Sequence, residues 1–294
     1  MLKRLIYRQK FIIALLISQD KKIDKSSMHD IVYQFAQRQK TPFYSFVFLN
    51  SKPFSFQLNK DILYLLMRGY ISSEHGNWIP EVKNESIKNS MKSEDIQFIK
   101  SISNKLDNDK NGFSKNKMPR FLQLATKNGE LIPKKHTKKS LCPERNKISL
   151  FTIGYEGKSI DYFLNQLMSN GIRLLIDVRN NPLSRKYGFS SKQLSKFCKY
   201  INIDYLHLPE LGIASSLRKK LVTVSDYKNL FLAYKSRISQ NCENIILKII
   251  KEAKDLNRIA MTCFEADYRF CHRSIIAELI ESKSRNTISI KHLA

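Results

Sequence analysis

The sequence predicts an α/β fold, with a C-terminal parallel-sheet βαβ domain preceded by a small winged-helix domain. Residues 148–294 alternate short apolar runs with helical patterns of roughly 10 to 15 residues, which is typical of parallel βαβ units. Residues 1–88 follow the order helix, helix, strand, helix and hairpin. A Lys- and Asn-rich stretch without a core pattern, residues 89–147, separates the two regions and predicts a basic, partly helical linker.

The elements of the first region follow from local patterns. "FIIALLISQD" and "SSMHDIVYQFAQRQ" carry apolar residues at helical spacing, and "PFYSFVFLN" alternates as a strand does. Ile62, Leu65 and Leu66 share one face of a third helix, which Gly69 ends. "YISSEHGNWI" then predicts a hairpin that turns at His75 to Asn77.

The segment "YSFVFLNSKPFSFQLNKDILYLLMRGYI" is similar to winged-helix segments of some prokaryotic antitoxin-like and regulatory proteins. This resemblance implies contacts to the DNA backbone by Arg38, Lys40, Lys60 and Arg68. A module that docks another protein is the alternative, because winged helices serve both purposes.

The linker adds to the positive charge of the chain. A helix is predicted near Glu94 to Leu106, and the basic stretch "PKKHTKKSLCPERNK" follows it. We expect Lys134, Lys135, Lys138 and Lys139 of this stretch to contact phosphates.

The whole chain is strongly basic, with 51 Lys and Arg against 26 Asp and Glu, a net charge of +25 and a pI near 9.8. DNA is the predicted partner, because each cation that neutralises a phosphate releases a condensed counterion. A lysine-rich proteome encoded by an A/T-rich genome would give the same composition. Five cysteines at irregular spacing argue against a disulfide framework and favour the cytoplasm. No run approaches roughly 18 apolar residues, so no membrane partner is expected, and the oligomeric state is not predicted.

Polar residues of the second region gather where three predicted strands end. "ISLFTIGYEG", "IRLLIDVRNNP" and "RIAMTCFE" are apolar runs followed by turns, and "IDYLHLPELG" is a further short strand. Because parallel strands end at one edge of a sheet, the polar groups that follow them are expected to converge there.

Three readings of these loops are less favoured. "GYEGKS" has two residues between its glycines, whereas a P-loop needs four. "IDVR" before a Cys-bearing loop resembles rhodanese-like domains, and Cys263 with Arg269 has the Cys-x5-Arg spacing of thiol phosphatases, but Glu265 and Asp267 would repel an oxyanion. Zinc could be held by Cys263, Cys271 and His272 with Cys198 or Glu265, yet the spacing is not Cys-x2-Cys, so no metal is predicted.

The second region is similar over about 145 residues to the domain of unknown function 488 family. The family motifs G-Y-x-x-x-S, D-V-R-x-x-P-x-S-R, Y-x-H-x-P-x-L-G and C-x-E-x-x-x-x-x-C-H-R occur in the same order. They fall on Gly154, on Asp177, Arg179, Pro182 and Arg185, on His207, Leu211 and Gly212, and on Cys271, His272 and Arg273. Asp267 and Arg269 have no clear counterpart, and the resemblance implies a domain rather than a reaction.

The residue types favour hydrolysis of the N-glycosidic bond that joins a base to the sugar in DNA, so that the base is released. No cofactor is predicted for this reaction. Asp177 or Glu265 would act as the catalytic carboxylate and His272 as the proton donor. An extruded base needs aromatic and cationic partners. The predicted substrate-binding residues are Tyr155, Arg179, Arg185, Tyr187, Phe189, His207, Arg269 and Arg273. Modified bases in foreign DNA would suit a role in antiviral defence.

Other functions remain open at this point. A nuclease would hold Mg²⁺ with Asp177, Glu265 and Asp267. A DNA-binding regulator without catalysis and a rhodanese-like thiol enzyme are further alternatives. The same charged residues could also form structural ion pairs, Arg179 with Glu265 and Asp177 with Arg273.

Overall fold

The structure, a computed structural model, describes residues 5–19, 23–25, 27–49, 52–81, 86–108, 148–218, 221 and 223–293. The chain divides into two compact units, Met1–Lys134 and Lys135–Ala294, and each is described by itself. The four lysines predicted to contact phosphates in the basic stretch, Lys134, Lys135, Lys138 and Lys139, lie outside the described residues. None of the helices in the described ranges combines the length and the apolar character that crossing a bilayer requires.

The N-terminal unit contains the predicted helices and hairpin. Its helices are α1 (Tyr7–Ile17), α2 (Ser27–Ala36), α3 (Phe56–Met67), α4 (Ser86–Asn89) and α5 (Ser93–Asn108). Its strands are β1 (Ile23–Asp24), β2 (Val47–Leu49), β3 (Lys52–Phe54), β4 (Ile71–Glu74) and β5 (Asn77–Pro80). Strands β1, β5 and β4 form an antiparallel sheet in that order, and β2 pairs with β3. Only the end of the strand predicted in "PFYSFVFLN" forms, as β2. The winged-helix assignment stays a prediction.

Local signals explain where these elements begin and end. The Ser55 hydroxyl accepts a hydrogen bond from the Leu58 amide at 3.1 Å and caps α3. Gly69, with φ +69°, adopts the left-handed conformation that follows this helix. His75 and Gly76 both have positive φ, as a two-residue hairpin turn of type I′ requires.

The apolar core of this unit includes part of the predicted linker. Phe11 stacks on Phe35 with ring centroids 4.2 Å apart. Phe98, Ile99 and Ile102 of α5 are buried in the same core. This part of residues 89–147 therefore packs with the N-terminal unit.

A buried carboxylate joins α1 to α3. Asp61 accepts hydrogen bonds from Arg8 at 2.5 Å, from Gln9 at 3.0 Å and from the Tyr44 hydroxyl at 3.0 Å. A buried charge is tolerated when it is paired and hydrogen-bonded in this way.

The surface of the N-terminal unit carries the cations that were predicted to contact DNA. Arg38, Lys40, Lys60 and Arg68 are all exposed. Their exposure is compatible with phosphate contacts, which remain a prediction.

The C-terminal unit is built on a five-stranded, all-parallel sheet, which confirms the predicted fold class. Its strands are β6 (Ser149–Gly154), β7 (Leu174–Asp177), β8 (Asp204–His207), β9 (Arg258–Cys263) and β10 (Ser289–Leu293), in the order β10-β6-β9-β7-β8. Its helices are α6 (Ile160–Ser169), α7 (Ser191–Tyr200), α8 (Ser215–Arg218), α9 (Val224–Asn241), α10 (Glu243–Leu256) and α11 (Arg273–Lys283). The sequence did not predict β10, whose residues are polar enough to suit a strand at the sheet edge.

Burial explains the order of the strands. Strands β6 and β7 are buried at every position and β9 at all but its first, and these three lie inside the sheet. Parallel strands covered on both faces read as continuous apolar runs, as these do. The core they share with the helices includes Met261 of β9 and Ile276 of α11.

Burial of His29 makes the stability of the N-terminal unit depend on pH. Its Nδ1 accepts a hydrogen bond from the Ser55 amide at 3.1 Å, and desolvation lowers the pKa of His29 from 6.5 to about 3. The unfolded chain therefore binds a proton below pH 6.5 that the folded unit does not. We expect the free energy of unfolding to decrease as the pH is lowered from about 6.5 to 3, by up to about 1.4 kcal/mol per pH unit.

Trp78, the single tryptophan of the chain, is buried in this unit, so its fluorescence reports the relevant transition. Denaturant titrations at several pH values measure the slope. In His29→Asn, whose amide oxygen keeps an acceptor near Nδ1, the slope should flatten even if overall stability is lower. An unchanged slope would assign the pH dependence to other groups.

Candidate active site

The predicted convergence of polar residues occurs at the carboxyl edge of the parallel sheet. Gly154 at the end of β6 is in register with Cys263 at the end of β9. Asp177 at the end of β7 is in register with Thr262 of β9 and with His207 of β8. The loops that follow these strands therefore begin side by side.

Asp177 is buried in an ion pair with Arg179. Arg179 donates to Oδ1 at 2.8 Å and to Oδ2 at 2.5 Å, and the Tyr205 hydroxyl donates to Oδ2 at 2.7 Å. Burial opposes the charge of Arg179, but its hydrogen bonds to Asp177 raise its pKa overall. The alternative prediction of an ion pair between Asp177 and Arg273 is wrong, because the partner of Asp177 is Arg179. Both carboxylate oxygens are engaged, which favours a structural role over the predicted catalytic one.

The same arginine connects two aromatic rings that were predicted to bind substrate. Arg179 donates to the Tyr155 hydroxyl at 3.0 Å and to the Phe189 carbonyl at 2.8 Å. The Tyr155 and Phe189 rings are buried and stack with centroids 4.4 Å apart. These three side chains hold the loops after β6 and β7 together.

Arg273, another predicted substrate-binding residue, holds the loop after β9. Its side chain is buried and donates to the carbonyls of Glu265 at 2.6 Å and Ala266 at 2.9 Å. Gly154 allows this loop to approach β6, because a Cβ there would lie 1.7 Å from the Glu265 carbonyl oxygen. Gly154 and Arg273, which belong to separate sequence motifs, thus both hold the loop after β9 against the end of β6.

Cys263, Cys271 and His272 form a buried group, which we call the thiol–imidazole cluster. The His272 Nδ1 lies 3.8 Å from the Cys263 sulfur and 4.0 Å from the Cys271 sulfur. A hydrogen bond with the Cys271 thiol, together with the nearby His272 imidazole, outweighs burial and lowers the pKa of Cys263. Burial raises the pKa of Cys271. The predicted proton donor His272 is thus enclosed with two sulfurs.

Glu265, the third predicted catalytic residue, is only partly buried. Its Oε2 accepts a hydrogen bond from the Cys263 thiol at 3.1 Å. Of the three predicted catalytic groups, it is the one that solvent reaches, because Asp177 and His272 are buried. The loop that carries it also exposes the rings of Phe264, Tyr268 and Phe270.

The remaining predicted substrate-binding residues occupy different settings. Arg185 is exposed, and Tyr187 is half-buried beside Phe197. The His207 Nε2 lies 2.8 Å from the Arg179 carbonyl. Arg269 is exposed and pairs with Asp267, so it does not cradle an oxyanion beside Cys263 as the Cys-x5-Arg spacing would require.

Sequence reasoning missed two lysines at this edge. Lys186 donates to the Tyr155 carbonyl at 3.1 Å, and burial lowers its pKa. Burial and the positive charges of Arg273 and Lys186 lower the pKa of Lys158. The carboxylate of Glu156 acts in the opposite direction on the pKa of both lysines, and two partly buried cations at a sheet edge suit an anionic ligand. The available signal was their position, since each lies in a loop that directly follows a strand.

Glu156 is a further residue that the sequence analysis left without a role. Its Oε2 accepts a hydrogen bond from the Ala266 amide at 3.0 Å. This contact fastens the loop after β6 to the loop after β9.

Comparison with known families adds one match. Residues 159–280 match the family Domain of unknown function DUF488. This confirms the resemblance predicted for the C-terminal region. No curated protein and no solved structure matches the chain. The DUF488 match covers α6 to most of α11 and leaves the reaction open.

The Asp177–Arg179 pair generates a test of its role. In Asp177→Asn, a buried guanidinium loses its charged partner, so the free energy of unfolding should fall by about 3 to 5 kcal/mol. Denaturant unfolding followed by far-UV circular dichroism measures the change. Asp204→Asn, at an exposed position on β8, is the matched control and should change stability by less than about 0.5 kcal/mol. A stable but inactive Asp177→Asn protein would restore the catalytic role.

Proposed function

We propose that the C-terminal unit is a hydrolase that acts on DNA and releases a base by cleaving its N-glycosidic bond. The observation that supports this proposal is the loop between β9 and α11. It carries a partly exposed carboxylate, Glu265, together with three exposed aromatic rings. Lys158 and Lys186 lie at the same sheet edge.

Each group has a role in such a reaction. Cleavage of an N-glycosidic bond develops positive charge on the sugar, and a carboxylate stabilises that charge or activates water. Two features support either role for Glu265: the Arg273 hydrogen bond holds its backbone, and solvent reaches its side chain. A base taken out of the stack needs an aromatic surface, which Phe264, Tyr268 and Phe270 offer. The two lysines would contact the flanking phosphates.

The alternatives have less support. A Mg²⁺-dependent nuclease would need Asp177 and Asp267, but each pairs with an arginine. Covalent thiol chemistry would need access to Cys263, whose side chain is buried. A DNA-binding regulator without catalysis uses the same positive charge and is separated from a hydrolase by the activity assay below.

The net charge of +25 generates the first prediction for this function. DNA affinity should fall steeply with salt, with a log–log slope steeper than about −2, because several phosphates are contacted. Lys158→Gln and Lys186→Gln should each make the slope shallower by about 1. Fluorescence anisotropy with labelled DNA at several salt concentrations measures these slopes.

An exposed lysine that already has a carboxylate partner provides the control. Lys235 is exposed and pairs with Glu278, so Lys235→Gln should leave the slope unchanged. A slope near zero for the native protein would remove DNA as the partner. If all three substitutions changed the salt slope equally, Lys158 and Lys186 would contribute only through the net charge of the protein and not through contacts of their own.

Glu265→Gln tests the catalytic proposal. The substitution is nearly isosteric, so fold and DNA affinity should persist, while turnover should fall by at least about 10²-fold. The assay incubates modified and unmodified DNA with the protein, with and without EDTA, and then applies mild alkali. Free base and alkali-labile sites indicate a glycosylase, whereas EDTA-sensitive direct nicks indicate a nuclease.

Glu278→Gln, at an exposed position of α11, is the matched control and should keep full activity. Tight binding without any product would identify a regulator. A fully active Glu265→Gln protein would contradict the assignment of Glu265.

A further inference from the structure

The thiol–imidazole cluster of Cys263, Cys271 and His272 has the composition of a metal site. Their side chains are 2%, 0% and 1% exposed, respectively. One potential ligand atom from each residue lies within 4.8 Å of the other two. Two sulfurs and an imidazole nitrogen are ligands that select zinc over magnesium or calcium.

We propose that the thiol–imidazole cluster binds a zinc ion. In a tetrahedral zinc complex, sulfur and nitrogen ligand atoms lie about 3.5 Å apart and two sulfurs about 3.8 Å apart, given bonds of about 2.3 Å and 2.0 Å. The sulfur-to-nitrogen distances of 3.8 and 4.0 Å are close to this geometry. The two sulfurs lie within 4.8 Å of each other, so shifts of up to about 1 Å would bring all three atoms to bonding distance of one ion.

The hydrogen bond of His272 prepares the ring for this role. Its Nε2 lies 3.0 Å from the Val178 carbonyl oxygen. A carbonyl only accepts, so Nε2 carries the proton and the lone pair of a neutral ring is on Nδ1, which faces the sulfurs. Metal-binding histidines commonly donate their other N–H to a carbonyl or carboxylate in this way.

A water molecule held by Glu265 is the candidate for the fourth position. Its Oε2 is 3.1 Å from the Cys263 sulfur, where a carboxylate and a thiolate would repel each other unless a proton or a cation lay between them. Three protein ligands with one position left to water are typical of catalytic zinc sites. Glu265 is not among the residues whose ligand atoms all lie within 4.8 Å of one another, so it would contact the ion through that water molecule.

The fold explains why the spacing of these residues along the chain is unusual. Cys263 ends β9, whereas Cys271 and His272 directly precede α11. The short 3-10 helix Tyr268–Phe270 lies between them, and the Arg273 hydrogen bonds hold the intervening loop. Zinc binding by this cluster is independent of the proposed action on DNA.

Metal analysis of the full chain tests the proposal. The protein is purified under reducing conditions, incubated with zinc, dialysed and analysed by mass spectrometry of its metals. We expect about one zinc per chain. Replacement by Co²⁺ should give the thiolate-to-cobalt charge-transfer band and the visible bands of a tetrahedral complex.

Variants locate the site. Cys263→Ser and Cys271→Ser should each weaken zinc binding by more than about 100-fold, measured by competition with a chromophoric chelator. Cys198→Ser is the matched control, because Cys198 is also buried in this unit but is not part of the cluster. It should bind zinc as the native protein does.

A second measurement uses the native chain and does not depend on the folding of variants. Because both cluster thiols are buried, the reaction with a thiol reagent is followed in mild denaturant, where zinc should slow the reaction of two thiols and a chelator should restore the metal-free rate. Fewer than about 0.1 zinc per chain, with no charge-transfer band in cobalt, would overturn the proposal. A Cys263–Cys271 disulfide in metal-free protein purified without reductant, together with no zinc uptake after reduction, would instead identify a redox pair.

Discussion

The guanidinium of Arg273 determines the shape of the sheet edge. It is buried, and it donates hydrogen bonds to the carbonyls of Glu265 and Ala266. Without these two carbonyls the buried guanidinium would lose two hydrogen-bond partners, at a cost of about 1 to 3 kcal/mol or more. The loop is thus held at two carbonyls, while the side chain of Glu265 contacts the Cys263 thiol and stays partly exposed. Gly154 completes the arrangement by leaving room for the Glu265 carbonyl.

The polar residues at this edge therefore divide into two sets. Asp177, Arg179 and Arg273 satisfy one another or the backbone and are buried. Glu265 and Lys158 are only partly buried and can meet a ligand. Residues of the first set make the edge rigid, and preorganised charged groups act best on such a support.

The thiol–imidazole cluster lies beside the first set and touches the second through Glu265. A zinc ion there would place a positive charge next to the carboxylate proposed for catalysis. The two proposals are independent, because the three zinc ligands Cys263, Cys271 and His272 do not include the carboxylate of Glu265. They meet at one residue, which makes the loop between β9 and α11 the part of the chain that decides the function.

The sequence by itself determined the parallel α/β domain, the apolar strands β6, β7 and β9, the convergence of their loops and the likeness to DUF488. Hydrophobic periodicity and the motifs at strand ends are local patterns, so they can be recognised in the sequence before the fold is known. Only the tertiary structure decided which polar groups pair. The sequence contains Asp177, Arg179 and Arg273 as equal candidates, and the pairing depends on which strands are neighbours and on how deeply each side chain is buried.

The cluster is the clearest case of this difference. Spacing along the chain disfavoured a zinc site, because Cys263 and Cys271 are separated by eight positions and His272 directly follows Cys271. The end of β9 and the start of α11 bring the three ligand atoms within 4.8 Å. Distances between side chains on separate elements arise from packing of the whole core, and no local pattern in the sequence encodes them.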